Sequence, residues 1–243
     1  MRCRDLIEGL DLQLLSGSLD VEIGGVQHDS RRVRPGDLFV AIKGFKTDGH
    51  DFIQEVLTRG AAGLIIERRD LPLPSTLPVL LTKDTRRALA FVSARFHGEP
   101  SKQLILIGVT GTNGKTTTTY LIEAILKEAG WKAGLVGTVS YRFGGTVVPA
   151  ERTTPESSDL QAFLAEILKK RAKAAILEVS SHSLALHRVE ACDFDVAVFT
   201  NLTQDHLDFH GTLEAYRDAN TNLFEGLHDR ATKGVEKAAF LNA

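Results

Sequence analysis

Three groups of polar residues in this 243-residue chain have the types and spacing needed to bind phosphate and a metal ion. The first is the segment Gly108-Val109-Thr110-Gly111-Thr112-Asn113-Gly114-Lys115-Thr116, where an apolar run leads through a glycine-containing turn to the predicted start of a helix. Such a turn offers backbone N–H groups to phosphate, Lys115 neutralises charge, and Thr116 can ligate magnesium. Val109 occupies the first glycine position of the usual G-x-x-x-x-G-K-S/T pattern, so only its Gly-Lys-Thr core is present. The alternative is a Gly/Thr-rich surface turn before an amphipathic helix.

Two further groups follow predicted strands. Glu178 ends an apolar run at residues 174–177, and His206 lies in the polar cluster 200–211 that follows the run 194–199. Ligands of open α/β sheets bind beyond the carboxyl ends of the strands, where a carboxylate can hold the magnesium ion that bridges nucleotide phosphates. From spacing alone, an ordinary strand-end charge fits Glu178 equally well, and an isolated histidine is more often structural or solvated than a ligand. Three strand ends converging on one edge favour the phosphate and metal interpretation.

The elements that position these groups form two α/β parts. Residues 21–97 predict a compact unit with strands at residues 37–42, 61–66 and 79–81 and a helix at residues 85–96 with Asp84 as its N-cap. A second helix has Phe52, Ile53, Val56 and Leu57 on one face and stops at Gly60. The segment 97–101 has linker composition.

After the linker, longer apolar strands alternate with helices, a pattern typical of a parallel sheet. Strands are predicted at residues 104–107, 174–179 and 194–199, and a further one begins at 237–242, where the apolar run suggests a truncated chain. One helix carries Leu121, Ile122, Ile125, Leu126 and Ala129 on one face and stops at Gly130. Another has an apolar face from Leu160 to Leu168 behind a Ser158/Gln161 capping box, and a third spans residues 213–227.

Composition excludes several classes of protein. The formal net charge of −2 provides no basic field for nucleic acid or an anionic membrane. Cys3 and Cys192 lack metal-ligand or CxxC spacing, and Cys192 is predicted to be a buried small hydrophobe. The N-terminus does not resemble a signal peptide, and no apolar run approaches the roughly 20 residues that span a bilayer. We therefore expect a soluble, reduced, cytoplasmic, monomeric protein that does not insert into membranes.

In order along the chain, these motifs resemble the Mur ligase family. The phosphate segment through Thr117 is similar to the family's ATP loop, in which Val109 is no anomaly. Residues 178–182 (EVSSH) and 205–211 (DHLDFHG) resemble its second and third motifs, with residues 153–156 (TTPE) between them. Upstream, residues 29–31 (DSR), 35–41 (PGDLFVA) and 48–50 (DGH) resemble the nucleotide-sugar domain of the MurE and MurF enzymes. The Thr-Thr-Pro and His-Gly elements point to the MurE branch.

The resemblance implies a small α/β UDP-sugar-binding domain at residues 1–98, followed by an incomplete P-loop-type parallel-sheet ATPase domain at 99–243, with the C-terminal amino-acid-binding domain absent. It implies ATP-dependent addition of a diamino acid to UDP-N-acetylmuramoyl-L-alanyl-D-glutamate through an acyl phosphate. Lys115 would bind ATP phosphate with the rest of its loop, Thr116 and Glu178 would hold a first Mg²⁺, and Glu178 with His206 a second. The substrate contacts implied are Ser30, Phe45, Lys46 and Thr47 at the uridine end, and Thr153, Thr154, Ser180 and Arg188 at the pyrophosphate and muramoyl portion.

Two departures from the family pattern bear on activity. The resemblance implies a lysine, after the His-Gly element, that becomes carbamylated and bridges to the second magnesium ion. Counted from Arg188 and Tyr216, that position holds Asn220, which is short, neutral and unable to form a carbamate. The sequence therefore predicts weak occupancy of the second metal position and severely impaired ligation. Because the family's C-terminal half lies outside this sequence, the added amino acid stays open between meso-diaminopimelate and L-lysine.

Three functional hypotheses follow. The first is a MurE-type ligase. The second is a truncated or degenerate module that binds UDP-sugar and ATP without turnover, which Asn220 favours. The third is a MurF-type ligase or a folylpolyglutamate synthase, and the synthase fits poorly because residues 21–97 supply a UDP-sugar-like domain that it lacks.

Overall fold

The computed structural model describes residues 1–228, without the side chain at 228, and residues 233–242. They belong to two compact units, Met1–Phe96 and His97–Ala243. Both units are mixed α/β structures with mainly parallel sheets, which confirms the predicted fold class. In the described part of the chain, no helix combines the length and the apolar character needed to cross a membrane.

The first unit is built on a five-stranded sheet with the strand order β1-β5-β4-β3-β2, parallel except for β1. Its strands are β1 Gln13–Ser16, β2 Gly25–Gln27, β3 Asp37–Val40, β4 Gly63–Ile66 and β5 Val79–Leu81. Its helices are α1 Cys3–Ile7, α2 Ile53–Thr58 and α3 Thr85–Phe96, with 3-10 turns at Ser30–Arg32 and Gly49–Phe52.

Both faces of this sheet are buried. Along β3, Leu38 and Val40 pack into one apolar cluster with α1 and α3, whereas Phe39 packs into the cluster that includes α2 on the opposite face. Successive side chains of a strand point to opposite faces, so both sets are buried here and the run at residues 38–42 is apolar throughout. Full burial of each large aliphatic side chain contributes about 1.5–3 kcal/mol. The continuous apolar runs in the sequence are therefore explained by helices covering both faces.

The second unit contains a seven-stranded sheet with the order β12-β11-β6-β10-β7-β8-β9. Strands β12, β11, β6, β10 and β7 are parallel to one another, and β8 and β9 form an antiparallel hairpin beside β7. The strands are β6 Ile105–Thr110, β7 Ala133–Val136, β8 Ser140–Phe143, β9 Thr146–Pro149, β10 Ala174–Glu178, β11 Val196–Phe199 and β12 Ala238–Leu241. The helices are α4 Lys115–Glu128, α5 Ser157–Lys169, α6 Ser181–Ala185, α7 Leu207–His210 and α8 Leu213–His228, with a 3-10 turn at Pro100–Lys102. Because β6, β10 and β11 are adjacent and parallel, the loops that follow them leave the same sheet edge.

Most predicted elements are confirmed, two of them to the residue. Strand β5 and helix α3 have the predicted bounds, and Asp84 accepts a hydrogen bond from the backbone N–H of Arg87 at the start of α3. Cys192 is buried, as predicted. The strand predicted at residues 237–242 is present as β12.

One local prediction is wrong, and the apolar face predicted for α4 is only partly buried. Helix α5 begins at Ser157 with Glu156 as N-cap and no side-chain capping bond, so Ser158 and Gln161 do not form a capping box. The Gln161 amide instead donates to Cys192 Sγ at 3.5 Å in the interior. Helix α4 has the predicted apolar face, but two of its residues, Leu121 and Ile125, are 60% and 67% exposed. The side of the helix that carries Thr119 packs against the sheet instead.

A buried ionic cluster joins the end of the described chain to the centre of the second unit. Asp195 is fully buried and accepts hydrogen bonds from the backbone N–H of Leu106 at 2.7 Å and from Lys233 Nζ at 2.6 Å. Lys237 Nζ bonds to Asp193 Oδ1 at 2.6 Å and lies 3.4 Å from Asp195 Oδ1. Burial lowers the pKa of Lys233, although the neighbouring carboxylates oppose that shift. Asp195 thus fixes the segment before β12 against β6.

We expect Asp195→Ala to destabilise the second unit by about 3–5 kcal/mol, because buried Lys233 loses its carboxylate partner and the backbone N–H of Leu106 loses its acceptor. Urea denaturation followed by circular dichroism measures this change. Asp195→Asn keeps an acceptor for Leu106 and should cost less than the alanine variant. A loss below about 1 kcal/mol for Asp195→Ala would show that the cluster does not hold β12 in place.

Candidate active site

The phosphate loop, residues 108–116, is held in shape by the loop that follows β11. Thr112 donates its backbone N–H to the Asn201 carbonyl at 2.9 Å, and the Asn201 amide bonds to both the N–H and the carbonyl of Asn113 at 3.0 Å. Gly111 has a φ of +124°, and a Cβ there would lie 2.3 Å from Thr200 Oγ1. The close approach of the two loops therefore requires glycine at this position.

Lys115 begins α4 and folds back over the phosphate loop. Its Nζ donates to the carbonyl oxygens of Gly111 at 2.6 Å and Thr112 at 2.9 Å. Burial lowers the pKa of Lys115, while Glu178 and Asp205 act in the opposite direction. The N–H groups of the first helical turn have no partners within the helix. The loop thus combines an ammonium group with a helix N-terminus, both suited to an anion.

Glu178, at the end of β10, is fully buried and its carboxylate is held by three donors. Thr116 Oγ1 donates to Oε2 at 2.9 Å, Thr138 Oγ1 donates to Oε2 at 3.0 Å, and the Thr138 backbone N–H donates to Oε1 at 3.1 Å. A Cβ on Gly137 would lie 2.2 Å from Glu178 Oε1, so the backbone before Thr138 must pass directly beside the carboxylate. The predicted pair Thr116 and Glu178 is therefore brought together next to the phosphate loop.

The Thr-Thr-Pro element lies against the same strand end. Thr138 Oγ1 is 3.1 Å from Thr153 Oγ1, and Thr154 Oγ1 donates to the Glu178 carbonyl at 2.8 Å. The backbone N–H of Ser180 donates to Thr154 Oγ1 at 3.3 Å. Three of the predicted substrate contacts, Thr153, Thr154 and Ser180, therefore surround Glu178.

Arg188 is buried behind these threonines. Its guanidinium donates to the Thr154 carbonyl at 3.1 Å and forms an ion pair with Glu156 at 3.0 Å, and Arg152 bonds to the same Glu156 oxygen at 2.8 Å. The Ser180 hydroxyl accepts from the Ser183 N–H and caps α6. In this structure Arg188 and Ser180 thus support the Thr-Thr-Pro element and the start of α6.

Aromatic rings and imidazoles cluster at the loop after β11. The ring of His182 stacks on Phe209 with centroids 4.3 Å apart and meets His206 edge-on at 4.9 Å, while His210 Nε2 is 2.9 Å from Ser181 Oγ. Burial first, and then the neighbouring His206, lower the pKa values of His182 and His210. His206 adopts a left-handed conformation with a φ of 55° before α7. Among the described residues, no group of three or more His, Cys, Asp or Glu side chains could hold a metal ion.

Asn220 lies beneath the phosphate loop on α8 and is 1% exposed. Its Oδ1 accepts from Thr110 Oγ1 at 2.6 Å, and its Nδ2 donates to the Tyr216 carbonyl at 2.8 Å. Tyr216 in turn places its hydroxyl 3.0 Å from Thr112 Oγ1. The amide at this position is therefore engaged in joining α8 to β6 and to the phosphate loop.

The first unit holds the other predicted contacts. Ser30 is buried at the start of its 3-10 turn, where Asp29 caps the turn by accepting from the Arg31 N–H. Phe45 is 71% exposed in a tight turn that also contains Lys46 and Thr47, closed by a bond from the Gly44 N–H to the Thr47 carbonyl. An exposed aromatic ring beside a lysine is chemically suited to a nucleobase and its phosphates.

Comparison with known proteins identifies the family to which the chain belongs. A model of the Mur ligase middle domain matches residues 109–242, and a model described as Mur ligase family, catalytic domain, matches residues 22–97. The chain belongs to the Mur ligase family. The resemblance predicted from the sequence motifs is thereby confirmed.

The relatives of this Mur ligase chain are similarly named. A protein of Caldanaerobacter subterraneus subsp. tengcongensis, called UDP-N-acetylmuramoyl-L-alanyl-D-glutamate–2,6-diaminopimelate ligase, is 47% identical over 242 residues, covering 100% of this chain and 48% of the relative. A solved structure described as the same kind of ligase matches with a TM-score of 0.82 and 27% identity, covering 99% of this chain and 52% of the other. A MurF ligase from Thermotoga maritima in complex with ADP matches at 0.60 and 25% identity, covering 89% and 50%. The chain thus spans about half the length of the curated relatives it matches.

Three residues of this Mur ligase site were missed as functional candidates. Thr138 lies between Glu178 and Thr153, Asn201 fixes the phosphate loop, and Tyr216 reaches Thr112. Asn201 follows a strand whose end was already expected at the ligand-binding edge, so its position could have indicated it. Thr138 follows β7, a short strand that the apolar pattern did not reveal, and it had no comparable signal.

We expect Gly137→Ala to weaken magnesium-dependent nucleotide binding about tenfold or more, because the new methyl group displaces the Glu178 carboxylate and breaks charge-assisted bonds worth about 1.5–3 kcal/mol each. Isothermal titration with ATP and Mg²⁺ measures the loss. Gly226→Ala is the matched control, since a Cβ there meets nothing within 4 Å. Equal affinities for the two variants would contradict a role for Glu178 in binding.

Proposed function

We propose that this chain supplies the acceptor-binding and ATP-binding parts of an ATP-dependent, ADP-forming ligase that adds a diamino acid to UDP-N-acetylmuramoyl-L-alanyl-D-glutamate in peptidoglycan precursor synthesis. The observation that carries this proposal is the direct bond between Thr116 of the phosphate loop and Glu178, with Thr153 and Thr154 beside them. The names of the relatives support the acceptor and favour 2,6-diaminopimelate over L-lysine as the added amino acid. We place the reaction in the cytoplasm.

The two units take different parts of the substrates in this proposal. The first unit, our candidate UDP-sugar domain, holds the uridine end through Ser30 and the Phe45-Lys46-Thr47 turn. The second unit binds ATP through residues 111–117 and receives the muramoyl and pyrophosphate portion at Thr153, Thr154, Ser180 and Arg188. We propose domain limits at residues 1–98 and 99–243.

The residues present fit a magnesium ion. Thr116 Oγ1, in the first turn of α4, and Glu178 Oε2, at the end of β10, are hard oxygen ligands 2.9 Å apart. Mg²⁺ usually takes one or two such protein ligands together with water and phosphate oxygens. When bound, the ion neutralises charge on the phosphates of ATP. We assign His206 to a second metal position together with Glu178.

The chemistry then follows from positioning. The terminal carboxylate of the acceptor attacks the γ-phosphorus of ATP, which forms an acyl phosphate and releases ADP. The amine of the diamino acid attacks the acyl carbon, an amide bond forms, and inorganic phosphate leaves. Lys115 and the N–H groups at the start of α4 hold the phosphates, and Thr153 and Thr154 orient the acceptor. Such catalysis depends on approach geometry and on fixed positive charge.

We expect Lys115→Met to lower the affinity for Mg²⁺·ATP about tenfold to a hundredfold, since a charge-assisted bond to phosphate is lost. Calorimetric titration measures the change. Lys127→Met is the matched control because Lys127 lies on the same helix, is exposed and is remote from the loop. If Lys115→Met bound ATP as well as Lys127→Met, the nucleotide assignment would fail.

A second candidate function is a module that binds UDP-sugar and ATP without turnover. Asn220 favours this second function, because its amide is hydrogen-bonded to Thr110 and Tyr216 and cannot form a carbamate. Titration with UDP-N-acetylmuramoyl-dipeptide and with ATP, together with a phosphate-release assay, separates the two functions. Tight binding without phosphate release supports the module, and turnover rules it out.

We expect Asn220→Lys, in a chain of full family length, to increase formation of the tripeptide product, because it restores a residue that can be carbamylated. Product is measured by chromatography of the UDP-linked species. Asn222→Lys is the matched control, since Asn222 is exposed two residues away on the same helix. No gain for Asn220→Lys over this control would show that Asn220 is not what limits ligation.

A further inference from the structure

We propose that Thr138 is a positioning residue whose hydroxyl couples the nucleotide side of the site to the acceptor side, so that Mg²⁺·nucleotide binding strengthens acceptor binding. The inference rests on the proposed function. It concerns the hydrogen-bonded chain that runs from Thr116 to Glu178, then to Thr138, and ends at Thr153. Each link in this chain is between 2.9 and 3.1 Å.

The direction of each proton along the chain follows from the groups present. A carboxylate only accepts hydrogen bonds, and a threonine hydroxyl has a single proton to donate. Thr138 therefore gives its proton to Glu178 Oε2, as the geometry indicates. Thr153, 3.1 Å away, must then be the donor to Thr138. In this arrangement Thr153 has no proton left to offer an oxygen of the acceptor.

Engagement of Glu178 with a cation changes this arrangement. Oε2 receives two hydroxyl donors, from Thr116 and Thr138, and both compensate the charge of a carboxylate that is fully buried. A carboxylate oxygen that faces a cation no longer needs those protons. Thr138 can then donate to Thr153, and Thr153 becomes a donor to the acceptor. The same three hydroxyl groups thus present a different donor pattern in the two states.

The location of Thr138 suits this role. Thr138 is exposed whereas Glu178 is fully buried, so the hydroxyl lies between the interior carboxylate and the solvent side from which ligands arrive. Its backbone N–H separately holds Glu178 Oε1 at 3.1 Å, and that bond persists whatever side chain is present. Thr138→Val keeps the shape and the backbone bond while removing the hydroxyl alone.

The test measures coupling between two ligands in the unchanged 243-residue chain. The dissociation constant of UDP-N-acetylmuramoyl-L-alanyl-D-glutamate is determined by calorimetry with Mg²⁺ and a non-hydrolysable ATP analogue, and again with EDTA and no nucleotide. We expect the nucleotide to strengthen acceptor binding about fivefold or more in the unchanged chain, the lower end of usual allosteric couplings. In Thr138→Val this ratio should fall below about twofold.

The acceptor affinity measured without nucleotide distinguishes a loss of coupling in Thr138→Val from a structural defect. Without its partner, Thr153 is a free donor in both states, so Thr138→Val should bind the acceptor without nucleotide at least as well as the unchanged chain does. A damaged site would weaken both measurements. Thr138→Ser retains the hydroxyl and should keep the ratio, as should Thr146→Val, a matched change at an exposed residue of β9.

Each outcome has a consequence. An unchanged ratio in Thr138→Val, a ratio near one in the unchanged chain with both ligands bound, or an equal loss in Thr138→Ser would each overturn the coupling role while leaving the proposed function intact. Failure of the unchanged chain to bind either ligand would overturn the proposed function and the coupling together.

Discussion

A buried carboxylate at the end of a central strand is the constraint around which the second unit is arranged. Glu178 is removed from water, and an ionised carboxyl group in such a place must be met by donors. The three donors come from α4 and from the turn after β7, which precede Glu178 by 62 and 40 residues in the sequence. Satisfying this one group therefore fixes the register of the phosphate loop, the glycine at 137 and the Thr-Thr-Pro element relative to one another.

The parallel sheet makes this arrangement possible. Strands β6, β10 and β11 are adjacent and parallel, so their carboxyl ends lie at the same edge of the sheet. The phosphate loop, Glu178 and the loop that carries His206 are therefore close in space although they are distant in sequence. This part of the site could be predicted because the apolar runs identify buried parallel strands and the polar residues stand directly after them. The same reasoning predicted α3 and β5 to the residue.

Other features could not be predicted because they depend on contacts between distant segments. Thr138 follows a four-residue strand, and only its pairing beside β10 places it against Glu178. The position of Asn201 after β11 could have indicated that it lies at the site, but local pattern does not encode the contact of its amide with Asn113. The capping box at Ser158 failed because Gln161 finds a partner in the core at Cys192, so tertiary packing overrode a local signal.

The hydrogen bonds between Asn201 and Asn113 also indicate that the phosphate loop acquires its shape when the protein folds, before any ligand binds. Ordering a backbone residue costs about 1–2 kcal/mol of conformational entropy, and a flexible loop would lose that freedom as the nucleotide bound. Here the loop is fastened during folding, by three hydrogen bonds from a neighbouring segment. A nucleotide bound as we propose would meet a loop that is already ordered, and the entropic cost of organising the loop would fall on the stability of the fold instead of on the affinity for the ligand.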